Sequence, residues 1–522
     1  MIEKLQRADH RRIIKRIIIR GSLILNTPTC LGSGDADSPT DMPLLRDSLD
    51  DKYALLTGSS IAGALRNYLR ERNKGYGKSD RRIDIAAKLF GDLFAYENEK
   101  NDKSLSEEAK IKLREQDTQS SLIIDDAIST KPIQSELRDG VKINSITRTA
   151  ADKAKYDLEL LQAGTEFSLS FELLIEKNDN EQQLIKALAL ALQGLEPNNS
   201  SKSGEIYLGM KKRRGFGCCH VKEWQVWNFN LEDTDANDRI LWLNFEHWRA
   251  GFIPIFNVYT SITEGLKKAG ILVAESWEDQ RDRFTIQATF KLASPLLIRS
   301  GQAETGRAPD VVHLKSHRPD ESTEPVAVLS GTSLAGVLRH RAERIVNTLE
   351  KPTTIIDEIF GPDFSNDKTK EAKASRLIVH ESIINHTTDL VQTRIAIDRF
   401  TGGAYHGGLF QEKPIFGRGN ENLKLEIELR NPHQHEIGLL LLLLKDLWTE
   451  DLPVGGSSSV GRGRLQGKEA TLIWSKEQKS WTISQPNLKE NSLGITGSDR
   501  QDLENYVNQL VKYTKQEENK NE

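Results

Sequence analysis

Hydrophobic and polar positions along the chain form one block of elements that is met twice. The first block opens on the strand-like run "IKRIIIRGSLILN" from Ile14. A long polar loop follows, then "YALL" and a helix, then strand-like "SLIIDD" from Ser121. A variable polar stretch leads to strand-like "EFSLSFELLIE" from Glu166 and the helical "EQQLIKALALALQGL" from Glu181. A Gly-rich turn and a last strand, "CCHVKEWQVW" from Cys218, close it. The second block opens on "RFTIQATFKLAS" from Arg283. Strands and helices interleaved with long irregular excursions predict an α+β fold with a split βαβ, ferredoxin-like core in each block. The longest uninterrupted apolar run, Leu439 to Leu444, predicts a buried helix and falls far short of the roughly 18 residues a membrane span needs.

The blocks are related by sequence as well as by pattern. "LLTGSSIAGALRNYLRERN" from Leu55 is matched by "VLSGTSLAGVLRHRAERI" from Val328, with Gly58/Gly331, Ser60/Ser333, Gly63/Gly336 and Arg66/Arg339 in register. The flanks recur in the same order: "KLFGD" and "EIFGP", "SSLIIDDA" and "SRLIVHES", "LGMKKRRGFGCC" and "VGGSSSVGRGRL". This predicts a tandem duplication of a domain of about 210 residues, too long for a solenoid unit of roughly 20–50. The expected organisation is a first domain over 1–227, a connector over 228–282, a second domain over 283–475 and a C-terminal extension over 476–522 whose polar tail frays. Three tryptophans in the connector (Trp242, Trp248, Trp277) predict that it packs on one of the domains. The charged stretch from Glu97 to Gln119 reads as a solvated insertion.

Three cysteines, two of them adjacent, offer neither a disulfide framework nor a zinc spacing, which points to a reducing, cytoplasmic setting. The charged N-terminus is no secretory leader, and no membrane association is expected. A net charge of −4 means that any nucleic-acid site is a local patch.

Candidate chemistry sits in the recurring phrases. A helix starting behind Ser59 or Ser60, or behind Thr332 or Ser333, offers capped N–H groups and positive dipole to a phosphate. Gly63 is expected at a close backbone contact, with Arg66 one turn on; Arg339 holds the matching place. In "GMKKRRGFG" the basic residues Lys211, Lys212, Arg213 and Arg214 lie between glycines, and the second block offers Arg462 and Arg464 there. Such a loop suits a phosphodiester backbone, or is a plain solvated turn. The loop after the first strand is acidic, with Asp35, Asp37, Asp41 and Asp47; its counterpart has Glu304 and Asp310. A loop carboxylate facing a phosphodiester can hold Mg²⁺ or orient a hydroxyl. Eight of the eleven histidines lie from His313 onward, so no histidine acid–base pair is shared by both blocks.

Taken together, "DMPLLRD…LLTGSSIAGALR", "VKINSITRTA…LELLQAGTEFSLSFEL" and "GMKKRRGFG" resemble the RAMP superfamily of CRISPR-associated proteins, and within it the backbone subunits of type III effector complexes, fused in tandem as in the III-D branch. The resemblance implies two modified ferredoxin-like (RRM-like) domains, each with a protruding thumb hairpin. It implies binding to a guide RNA, pairing with complementary target RNA, and association with other type III effector subunits. It further implies metal-dependent endonucleolysis, with Mg²⁺ or Mn²⁺, at a loop aspartate: Asp41, which is also the possible metal ligand, with Asp37 as the fallback. Asp310, whose surrounding phrase has lost the proline and second acid, is the weaker counterpart. Arg46 belongs to the same phrase. The thumbs map to the segments with Thr147 and Arg148, and with Arg399 and Thr401, whose side chains are expected to meet RNA. Two alternatives remain at this point: a non-catalytic guide-RNA scaffold, and a metal-independent RAMP endoribonuclease that processes precursor CRISPR RNA.

Overall fold

A computed structural model describes residues 12–34, 40–78, 84–92, 106–114, 118–144, 147–197, 202–232, 237–245, 257–273, 278–300, 309–318, 322–364, 369–419, 421–485 and 493–514. Asp37, the fallback acid, lies outside them, as do Asp35, Glu304, Trp248 and Trp277.

The first domain is built on β1 (Ile13–Leu25), α1 (Gly58–Lys74), β2 (Leu122–Ile124), the hairpin β3 (Ser135–Ile143) and β4 (Ala150–Leu161), β5 (Glu166–Glu176), α2 (Glu181–Gln193) and β6 (Cys219–Asn230). Its central sheet runs β2-β5-β1-β6 with antiparallel neighbours. Inward positions alternate along β5, where Phe167, Leu169, Phe171, Leu173 and Ile175 are all buried. Helix α1 presents Ile61, Leu65, Tyr68 and Leu69 on one stripe to that sheet, and Arg72 and Lys74 suit the dipole of its last turn. In α2, Leu184, Leu188 and Leu192 are buried.

The connector contributes α3 (Ile262–Lys268), whose Ile262 and Leu266 join the core of the first domain. Arg16 of β1 lies over Trp242, 4.2 Å from the ring centroid. The expected packing of the connector is therefore onto the first domain.

The second domain repeats the order: β7 (Arg283–Leu292), α4 (Gly331–Thr348), β8 (Leu377–Val379), the hairpin β9 (Gln392–Ile397) and β10 (Ala404–Lys413), β11 (Leu423–Arg430), α5 (Gln434–Trp448) and β12 (Leu465–Trp474). Its sheet runs β8-β11-β7-β12 and continues into β13 (Lys479–Ser484) and β14 (Gly494–Gly497). The apolar run of α5 is buried between this sheet and α6 (Arg500–Lys512), through Leu439, Leu440, Leu443 and Leu444 on one side of the pair and Leu503, Tyr506 and Leu510 on the other. The extension after 475 is thus largely part of the second domain, because a helix as apolar as α5 needs cover on both faces.

Between the domains lies a buried ion network. Arg138 of β3 bonds Glu381 at 2.8 Å and Glu136 at 3.1 Å, Arg318 bonds the same Glu381, and the Ser316 hydroxyl donates to Glu136 at 3.4 Å. Burial would lower the Arg138 guanidinium, but Glu381 and Glu136 hold it above its ordinary value. Burial raises the Glu136 carboxyl, whereas for Glu381 the two arginines outweigh burial and lower it. Further out, Lys142 reaches Asp363 at 2.7 Å.

Candidate nucleic-acid interface

The loop acids of the two domains occupy one and the same structural position. Asp41 is exposed, and its Oδ2 accepts the backbone N–H of Asp157 on β4 at 2.8 Å. Asp310 is exposed, and its Oδ2 accepts the backbone N–H of Gln411 on β10 at 2.7 Å. The register extends past the acid: Met42 bridges Leu158 in parallel, and Val311 and Val312 pair with Glu412 and Lys413 in parallel. Each acid is therefore tied to the base of a hairpin by a charge-assisted bond.

The residues behind that clamp differ between the domains. Leu158 packs with Phe216, Leu160 and Cys30, all buried. At the matching places Glu412 and Arg462 form a buried ion pair at 2.9 Å, joined by Gln392, and Arg394 also reaches Glu412, at 3.2 Å. Arg462 is thus held inside the second domain and is withdrawn from the expected RNA contacts. Arg464 is exposed, with a bond to the Glu450 carbonyl at 3.3 Å.

Helices α1 and α4 start two to three residues earlier than the phrase suggested. Gly58 and Gly331 are their first residues, and the caps are Thr57 and Ser330, which accept the N–H groups of Ser60 and Ser333. Ser59 and Ser60 remain exposed in the first turn, while Thr332 and Ser333 are half-buried. Gly63 and Gly336 were expected at a close contact; both instead face open space, where an added Cβ meets nothing within 4 Å. Arg66 and Arg339 face inward to acids, Asp92 at 3.3 Å and Asp357 at 3.2 Å, and burial lowers the Arg66 guanidinium. Arg46 pairs with Glu159 at 2.6 Å. These three arginines brace the fold.

The basic loop splits into two uses. Lys212 is exposed, and Lys211 lies over the Tyr156 ring at 3.8 Å. Arg213 donates to the Ser375 carbonyl and Arg214 to the Leu377 carbonyl at 3.2 Å, both in the second domain. Burial, with Arg430 nearby, pushes the Arg213 guanidinium down to about 10. Arg213 and Arg214 thus seat one domain on the other, and the phosphate-binding expectation keeps only Lys211 and Lys212 here. Gly217 and Gly463 make the loop possible: φ is +78° and +80°, and an added Cβ would stand 1.9 Å from the carbonyl of Leu208 or Val454.

At the hairpin tips Thr147, Arg148, Arg399 and Thr401 are all exposed. Around the second tip Ile397, Phe400, Tyr405 and Leu409 are exposed as well. Asp47, expected beside Asp41, sits in its own turn, bonded through its backbone to Tyr53 and through Oδ1 to the Leu49 N–H. The acid next to Asp41 is Asp157, whose carboxylate Lys155 approaches at 3.7 Å. Nothing in the local sequence marked Asp157, because only the pairing of loop and hairpin brings it there.

No curated protein matches the chain. The family model of the RAMP superfamily matches it in two stretches, residues 23–220 and 289–466, each of which runs from the first strand of a domain through its helices and hairpin into its last strand. The chain belongs to the RAMP superfamily and carries two of its domains in tandem.

Proposed function

We propose that this protein is a backbone subunit of a type III CRISPR effector, with two modified ferredoxin-like palms and two thumbs, and that it binds guide RNA along its length and cuts complementary target RNA at its loop aspartates. The observation that carries this reading is the repeated clamp of Asp41 on Asp157 and of Asp310 on Gln411. A hairpin that splays a base from its neighbours then has a carboxylate fixed at its root, beside the distorted phosphodiester. The exposed first turn of α1, Lys212, and the tips with Arg148 and Arg399 supply contacts that carry no base information.

The donor set suits a hard divalent cation. Asp41 spends Oδ2 on the Asp157 N–H and retains Oδ1 for a cation. Mg²⁺ or Mn²⁺ held by Asp41 would supply positive charge at the cleaved phosphate. The chain's own part is to hold the Asp41 carboxylate through the hairpin N–H. In the second domain Gln411 replaces Asp157, and the neighbouring Glu412 is committed to Arg462 and Arg394. Asp310 is accordingly the weaker site.

Metal-independent processing by a histidine beside Asp310 is disfavoured by the setting of His313. His313 is buried, accepts the Ile298 N–H at 3.1 Å, lies 3.1 Å from the Val328 carbonyl, and is driven down to about 4 by burial. The test is to isolate the protein with its RNA and present a labelled complementary target. Short repeat–spacer RNAs should copurify, and Mg²⁺-dependent cutting should fall by orders of magnitude in Asp41→Ala. Cutting at every wild-type position by Asp41→Ala would defeat the catalytic assignment, and loss of cutting without loss of Mn²⁺ binding would defeat the metal assignment.

A further inference from the structure

A cavity of about 390 Å³ lies in the joint between the domains, and none of the residues of the two loop-acid clamps lines it. First-domain residues Tyr76, Glu205 and Tyr207 form one wall. The other is the less buried face of β11, where Lys424, Glu426, Glu428 and Arg430 follow one another at alternate positions, with Arg283 of β7 and His380 beside them. Small-molecule sites favour the meeting of two domains, and the volume is within their usual range.

The charge of this cavity runs against that of the chain. The chain carries 76 acidic and 72 basic residues, whereas the cavity is lined by six Lys and Arg and by four Glu. Two of those acids are already engaged: Glu381 by Arg138 and Arg318, and Glu205 by Arg281 at 2.7 Å and the Tyr68 hydroxyl at 2.9 Å. Arg283 and Arg430 stand directly opposite each other on neighbouring strands, a like-charged pair that costs stability unless anions compensate it. The compensation from inside the cavity is loose. Arg283 is 3.6 Å from Glu205 and 3.9 Å from Glu428, and the buried Nε of Arg430 donates no hydrogen bond among the described residues. Their nearer partners, Asp279 at 3.3 Å and Glu71 at 3.1 Å, do not line it.

The rest of the cavity suits a ring. Tyr207 of the first domain and His380 of the second have ring centroids 5.8 Å apart, and the His380 backbone N–H bonds the Glu426 carbonyl at 3.2 Å, which puts the ring pair beside Glu426. From Glu426 to Arg430 the strand advances about 13 Å, a span that a base, a sugar and two or three phosphates can fill. Glu428, between them, accepts from the Tyr76 hydroxyl at 3.3 Å and faces Arg430 Nε at 3.4 Å.

We propose that this cavity binds a nucleoside di- or triphosphate, with its phosphates on Arg283 and Arg430, its base against Tyr207 and His380, and the Glu426 carboxylate accepting from a base amino group. Guanidinium groups match phosphate oxygens in geometry as well as charge, and aromatic rings stack on any base. Both domains contribute, so a bound nucleotide braces the joint and raises the melting midpoint. The inference goes beyond the proposed function and does not depend on guide RNA or on cleavage.

The test is calorimetric titration of the nuclease-treated full chain with ATP, GTP and pyrophosphate, in EDTA so that the loop acids hold no metal. At least one of the two nucleotides should bind saturably, one per chain, and pyrophosphate more weakly. Arg283→Gln should weaken nucleotide and pyrophosphate alike by roughly tenfold or more, the worth of a lost charge-assisted hydrogen bond. His380→Ala should weaken the nucleotide and leave pyrophosphate unchanged. Arg283→Lys keeps the charge and should recover most of the binding, which separates a lost contact from a disturbed joint. Absence of saturable binding by either nucleotide, or nucleotide binding indifferent to both Arg283→Gln and His380→Ala, would overturn the proposal. So would loss of nucleotide binding in the guide-loaded chain, which would give these cations to RNA.

Discussion

Arg138→Met should loosen the joint between the domains by a measurable and correctable amount. Arg138 is 5% exposed and is shared between Glu381 and Glu136; Arg318 is the other cation on Glu381. The network holds two cations and two anions, so removing Arg138 leaves one buried negative charge in excess. Breaking a buried pair by deleting one partner costs about 3–5 kcal/mol. The lower end applies, because Arg318 still serves Glu381 and the Glu136 carboxyl, already raised by burial, can take up a proton. About 3 kcal/mol corresponds to a fall of roughly 6–12 °C in melting midpoint for a domain of this size. Calorimetry of the wild type, Arg138→Met, Glu136→Gln and the double variant forms a cycle. The double variant restores charge balance around Arg318 and Glu381, and should recover about 2 kcal/mol. An Arg138→Met midpoint within about 2 °C of wild type, equivalent to under 1 kcal/mol, would refute the view that this network holds the domains together.

Other outcomes follow from single sites. Gly63→Ala and Gly336→Ala should each stabilise by about 0.5–1 kcal/mol, since the helix accepts Ala and nothing lies within 4 Å; equilibrium urea unfolding reads this, and a loss of guide affinity in the same variants would place RNA against that face. Gly217→Ala and Gly463→Ala should lose several °C in melting midpoint, because the new Cβ has no room beside a carbonyl and φ is positive. His313 is lowered to about 4 from 6.5, so the folded state favours its neutral form; stability of the second domain should be full above pH 6.5 and fall by about 3 kcal/mol as pH drops toward 4, a slope that His313→Gln flattens. Lys211→Ala/Lys212→Ala should flatten the salt dependence of guide binding without changing melting, whereas Arg213→Ala/Arg214→Ala should lower the melting midpoint first.

What could be read in the sequence was the repetition and the element order. The stripe of Ile61, Leu65 and Leu69 and the alternation from Phe167 to Ile175 encode a helix and a strand whatever surrounds them. Asp41 and Asp310 were reachable through the spacing they share to the basic residue of the same phrase, Arg46 and Lys315. What stayed hidden depends on contacts between distant segments. The partner of Asp41 lies on a hairpin strand 116 residues away, so the sequence pointed to Asp47 in place of Asp157. Arg213 and Arg214 look identical in sequence to Lys211 and Lys212, and only the neighbouring domain's carbonyls separate them. Arg462 looks like a loop cation until Glu412 arrives from the other hairpin strand. Gly63 looked like a packing glycine because small residues serve both close contacts and open faces.

The measurement that bears most directly on the central claim is product mapping on an end-labelled target RNA bound to the guide-loaded chain. Two domains with equivalent clamps predict two cuts, separated by the spacing of the hairpins along the guide, the one at Asp41 strong and the one at Asp310 weak or absent. Asp41→Ala should remove the strong band alone, and Asp310→Ala at most the weak one. Loss of the same single band in both variants would mean that the loops form one composite site, and would contradict two independent catalytic units.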